Sequence, residues 1–151
     1  MEFIRLERNS LEIEVLAKRG VKDLSQWERA WIGALVAGEG TIGYNRGRVY
    51  PSGGREHPLL GPGNHWYPRL RKEMYDGGMI KLAGVILREE PMRTPRGSWL
   101  VVREGQPVID YLRLMREFMP GIRGTESDFV ISKGSPVGRE IVDEYIRLFG
   151  R

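Results

Sequence analysis

The sequence has no cysteine in its 151 residues. That excludes disulfides and thiolate metal sites. Histidine is nearly as scarce. His57 and His65 sit in one Gly/Pro-rich stretch without helical or paired ligand spacing, which favours a backbone contact or no role over metal binding. No apolar run approaches the roughly 20 residues that cross a bilayer, so no membrane partner is expected. The first eight residues mix charge with apolar side chains and lack the apolar core of a signal peptide. The expectation is therefore an intracellular protein, cytoplasmic or nucleoid-associated. There is no internal repeat. Gly33 and Gly38 have the spacing of a phosphate loop, but Glu39 stands where that loop needs lysine, and no dinucleotide-binding fingerprint follows a strand.

What is present is ordinary for a globular chain: 40% apolar and 29% charged residues, at a length that supports one domain. The net charge of +4 is unevenly spread. Residues 41–103 hold eleven Lys/Arg against five Asp/Glu, a local net of +6, while the rest of the chain holds thirteen against fifteen. Basic charge gathered in the middle of a chain points to a polyanion-binding surface, with a solvated basic face as the alternative.

The periodicity predicts an imperfect helix over residues 2–19, stopped by Gly20. Ser25 followed three positions later by Glu28 is a capping box, opening a largely buried helix over 26–37 that Gly38 and Gly40 end. Residues 41–44 alternate as a strand. Residues 45–65 are a long, basic Gly/Pro-rich connection, of the kind that is commonly functional. Residues 66–72 alternate again, with Trp66, Pro68 and Leu70 on one face and Tyr67, Arg69 and Arg71 on the other. Asp76 caps a helix over 77–87, a strand pair follows over 90–94 and 98–103, and Pro107 opens another helix that Pro120-Gly121 stops. A short strand is expected over 129–131. A final helix opens at Ser135-Pro136, with Val137, Ile141, Tyr145 and Leu148 as its apolar stripe. The fold class is α+β, with an antiparallel sheet carrying helices on one face and leaving the other to solvent or ligand.

The stretch WIGALVAGEGTIGY, residues 31–44, carries the chemistry. It resembles the LAGLIDADG motif of homing endonucleases, in the variant ending Gly-Glu-Gly. Ile32, Gly33, Ala34, Leu35, Val36, Ala37, Gly38, Glu39 and Gly40 cover the motif without gaps. Ala37 replaces the usual aspartate at the sixth position, which is not the conserved metal ligand, and the Gly-Ala order of the second and third positions is reversed. The resemblance runs from about Ser25 to the C-terminus, leaving residues 1–24 as an extension of the single domain 1–151. It implies the order helix-strand-strand-helix-strand-strand-helix with an antiparallel, saddle-shaped sheet.

The family packs two motif helices through their small residues, so one motif per chain implies a homodimer. Its interface would include Trp31, Gly33, Ala34 and Ala37. Carboxylates then meet at the helix ends, where hard divalent cations, Mg²⁺ or Mn²⁺, bind oxygen ligands. The resemblance makes Glu39 both metal ligand and catalytic residue, with Gly38 as a second ligand. A carboxylate at a helix C-terminus opposes the helix dipole and needs a cation nearby. By position, the basic residues around the metals are Arg69 or Arg71, and Arg123, with Lys133 as runner-up. The implied partner is double-stranded DNA, bound at a near-palindromic site of roughly twenty base pairs. Candidate DNA contacts are Tyr44, Asn45, Arg46, Arg48, Arg55, Asn64, Tyr67, Arg69, Arg71, Arg93, Arg96 and Arg103. Two other functions fit the same fold: a maturase that binds intron RNA, and a DNA-binding regulator without catalysis, which has no need of Glu39.

Overall fold

The computed structural model describes residues 10–46 and 65–150. Helix α1 spans Ser10–Lys18 and ends at Gly20, whose φ of +76° is a conformation that glycine adopts without strain. The Ser25 capping box forms as expected. Its hydroxyl accepts from the Glu28 backbone N–H at 3.3 Å, and the Glu28 carboxylate accepts from the Ser25 N–H at 3.0 Å. Helix α2, Gln26–Glu39, starts there and runs two residues beyond the expected end. Gly38 lies inside it, and Gly40 closes it by donating its N–H to Val36 O at 2.8 Å.

Strand β1, Thr41–Arg46, pairs antiparallel with β2, Trp66–Met74, in the register Thr41–Arg71 and Tyr44–Pro68. Helix α3, Gly77–Leu87, is capped by Asp76 as expected. The short β3, Met92–Arg93, and β4, Trp99–Glu104, complete a sheet in the order β1-β2-β4-β3. Helix α4, Gln106–Met115, ends in a 3₁₀ turn, Arg116–Phe118, ahead of Pro120.

The expected strand over 129–131 is instead part of helix α5, Ile122–Lys133. The buried side of α5 is Gly124, Glu126, Ser127 and Val130, mostly polar, so it shows no apolar helical period. The final helix α6, Arg139–Phe149, starts later than expected and buries Val142 and Tyr145. Leu148, expected on the apolar stripe, is 53% exposed, while Val137 bridges to Trp66 before the helix begins.

Helices α3 and α4 pack on β2 and β4, and α5 packs on β1. The core lies between these helices and one face of the sheet, around Ile42, Leu70 and Val101. Residues of opposite parity (Thr41, Gly43, Asn45, Tyr67, Arg69, Arg71, Glu73, Leu100 and Val102) are all partly exposed and form an open face. Among the described residues, no helix is long and apolar enough to cross a membrane.

Candidate active site

Glu39 is the last residue of α2, and its side chain is 76% exposed. The dipole at that helix end is unfavourable to a carboxylate. Two cations offset it. Lys72 Nζ donates to Glu39 Oε2 at 2.7 Å, and Arg123 Nε donates to Gly40 O at 2.8 Å. The Lys72 ammonium, by hydrogen bond and then by charge, holds the Glu39 carboxyl below its ordinary pKa of 4.5. Arg123 is held in turn by Glu126, which is fully buried, at 2.8 Å.

Lys72 is the residue that sequence reasoning missed. Its side chain is 3% exposed, because strand parity puts it with Pro68 and Leu70 on the helix-packed face. A lysine at an apolar position of a strand needs a partner for its ammonium. The signal that could have found it is its apolar parity after Pro68 and Leu70, and Glu39 meets the requirement.

The expected basic residues separate. Arg123 reaches the Glu39 end of α2 through its bond to Gly40 O. Lys133 stands at the other end of α5, ten residues and ~15 Å along the helix from Arg123. It pairs with Glu144 at 3.4 Å and lies over the Phe129 ring, so it does not share the Arg123 position. Arg71 lies on the open face, opposite Thr41, and donates to Glu73 at 3.1 Å.

The DNA-contact candidates divide by parity. Asn45, Tyr67, Arg69 and Arg71 are on the open face, and Arg96 joins them from the β3–β4 turn by donating to Glu73 at 2.6 Å. Asn45 Nδ2 donates to Glu104 Oε2 at 2.7 Å on the same face. Four candidates take the other parity. Tyr44 is on the helix-packed face, edge-on to Tyr145, and burial raises its hydroxyl pKa. Arg103 pairs with Glu89 at 2.7 Å and donates to Gly20 O at 3.1 Å, beneath the sheet. Arg93 shares the Trp99 parity and stacks on that ring. Arg46 takes the Tyr44 parity at the exposed end of β1. Arg48, Arg55 and Asn64 lie outside the described residues.

The α2 residues expected to meet a second chain differ in exposure. Gly33 is buried against its own chain: a Cβ there would sit 2.9 Å from Phe118 Cβ and 3.1 Å from Met115 O. Trp31 and Ala37 are partly buried against the core. Ala34 and Gly38 are exposed, as is Trp27 at 59%. These fall at helical spacing along one side of α2.

The donor chemistry at the helix end fits part of a divalent-metal site. Glu39 is an exposed carboxylate with Oε1 outside the Lys72 bond, and Gly38 belongs to the last turn, whose carbonyls lack an intrahelical partner. Among the described residues, no three His, Asp or Glu gather as metal ligands.

No protein-family model and no curated protein matches the sequence. Solved structures do match the fold. The homing endonuclease I-CvuI, in complex with the I-CreI target, aligns with a TM-score of 0.57 and 14% identity over 83% of this chain and 96% of that one. I-CvuI with its own target in the presence of Ca aligns at 0.52 and 15% identity, over 71% of this chain and 65% of that chain. The chain has the α+β, LAGLIDADG-type fold of these proteins.

Proposed function

We propose that the protein is a site-specific DNA endonuclease that works as a homodimer with Mg²⁺ or Mn²⁺. The observation that carries the reading is the exposed Glu39 carboxylate at the end of α2, hydrogen-bonded by a buried lysine. A binding-only protein has no need of an exposed acid at that position. The fold, shared with DNA-bound homing endonucleases, supports the same reading.

Two copies paired along the exposed side of α2 (Trp27, Ala34 and Gly38) would bring two Glu39 carboxylates together. Glu39 and the Gly38 carbonyl of each copy would then hold the metal. A bound divalent ion supplies an activated water and stabilises the leaving oxygen of a phosphodiester. The protein's own part is to orient the Glu39 carboxylate through the Lys72 hydrogen bond. Arg123 fixes the Gly40 carbonyl and so the exit of the chain from α2. Arg71, opposite Thr41, places a cation on the open face beside that exit.

The test is incubation of the protein and Mg²⁺ with plasmids carrying random inserts, followed by sequencing of the cut ends. The expected result is one near-palindromic site whose two-fold axis lies at the cut. Cleavage without sequence preference, or none over a range of metals and temperatures, contradicts the proposal.

A further inference from the structure

Among the described residues, the open face carries a cluster built on Glu73. Glu73 accepts from Arg71 through Oε1 at 3.1 Å and from Arg96 through Oε2 at 2.6 Å. The Ser98 hydroxyl also bonds Oε2, and Ser98 is fully buried and tied to Thr94 across the turn. Glu73 thus fastens the tip of the β3–β4 turn to β2 and sets two guanidinium groups on one carboxylate. Its carboxyl is held down at about 2, first by Ser98 and then by Arg96.

Such an exposed network adds little stability. What it fixes is direction. A guanidinium carries five donors in a planar fork, and the bond to Glu73 uses one NH₂ group, leaving the other donors of the fork outside that bond. The Arg96 side chain is 62% exposed. A loose arginine neutralises phosphates of any sequence. One held in plane can pair with O6 and N7 of a guanine. Two guanidinium groups against one carboxylate leave a single net positive charge, which limits sequence-independent attraction.

We infer that Glu73 is a positioning residue for base recognition, holding Arg71 and Arg96 as paired readers of neighbouring guanines in the DNA major groove. The inference rests on the DNA-binding reading above and adds the base and the residues that select it.

Selection of binding sites from a pool of random duplexes, run in parallel for wild type, Glu73→Gln and Arg96→Ala, tests it. Wild type is expected to enrich guanines at symmetric positions in the two half-sites. Both variants are expected to lose that preference by about tenfold at those positions and keep the rest of the site. Glu73→Gln should also bind random duplex more tightly, because a negative charge has gone. An unchanged site in both variants overturns the inference. So does a preference lost evenly along the site, which is what a purely structural role in the turn would give. Arg96→Ala alters only an exposed turn side chain and carries the test if Glu73→Gln does not fold. A wild type that binds no duplex overturns the DNA-binding reading itself, whereas an enriched site indifferent to both variants overturns only the role of Glu73.

Discussion

Glu39 and Lys72 show what single residues contribute. The motif made Glu39 legible, because a required acid before a glycine stands out in a small-residue helix. Lys72 was hidden because a charged residue at an apolar parity reads as the end of a strand. In the structure β2 continues through it to Met74. Lys72→Met is expected to fold, since methionine retains most of the buried stem. Turnover should fall about 100-fold, the usual order for removing one aligned electrostatic partner. Cleavage assays at saturating DNA check this, and a loss of less than fivefold would leave Lys72 without a role in the site.

Glu73 gives a prediction in pH. Its folded-state pKa is depressed from 4.5 to about 2, so its pairing stabilises the fold above the unfolded value and is lost as pH falls through the folded one. The Tm difference between wild type and Glu73→Gln, small for so solvated a network, should therefore be fully present above about pH 5 and shrink between 4.5 and 2. A Tm difference constant over that window would show that charge is not what Glu73 contributes.

At the scale of elements, the helices with strong local signals were the legible ones. Ser25 and Glu28 fixed the start of α2, and Asp76 fixed that of α3. Ser25→Ala should cost about 1 kcal/mol of stability by loss of the cap, read by urea denaturation. Helix α5 was illegible because its inner side is held by polar bonds. Glu126 binds Arg123, and the Ser127 hydroxyl donates to Arg123 O at 2.7 Å. The short apolar run Phe129-Val130-Ile131 then looked like a strand.

Gly33 was legible as a small residue required by packing, but not as to which surface it packs on. The close approach of Met115 and Phe118 answers that within one chain. Gly33→Ala gains helix propensity of ~1 kcal/mol, while the overlap costs ~1–3 kcal/mol. The expected result is a monomer destabilised by about 1 kcal/mol with unchanged dimer affinity. Weaker dimerisation at full monomer stability, measured by sedimentation alongside denaturation, would return Gly33 to the interface.

For the whole molecule, the basic middle of the sequence maps only partly onto a binding surface. Lys72, Arg93 and Arg103 lie on the helix-packed side, and Arg103 is spent on Glu89 and Gly20. On the open face Glu73 and Glu104 offset much of the charge of Arg69, Arg71 and Arg96. Charge along a sequence cannot tell the two sides of a sheet apart, since neighbouring residues of a strand face opposite ways. The order of strands and the α+β class were legible, because alternation and turn residues are local signals.

Dimerisation belongs to this scale as well. Ala34→Glu places a charge on the exposed side of α2. It should give a folded monomer without double-strand cleavage, checked by sedimentation and plasmid linearisation. A variant that remains dimeric would move the interface away from α2.

The most direct test of the central claim compares wild type with Glu39→Gln on supercoiled plasmid carrying the selected site, with Mg²⁺ or with EDTA, while duplex binding is measured in parallel. The account predicts linearisation at that site by wild type, dependent on Mg²⁺. It predicts none by the variant, which binds the duplex as tightly. Cleavage that survives Glu39→Gln, or proceeds in EDTA, would contradict it.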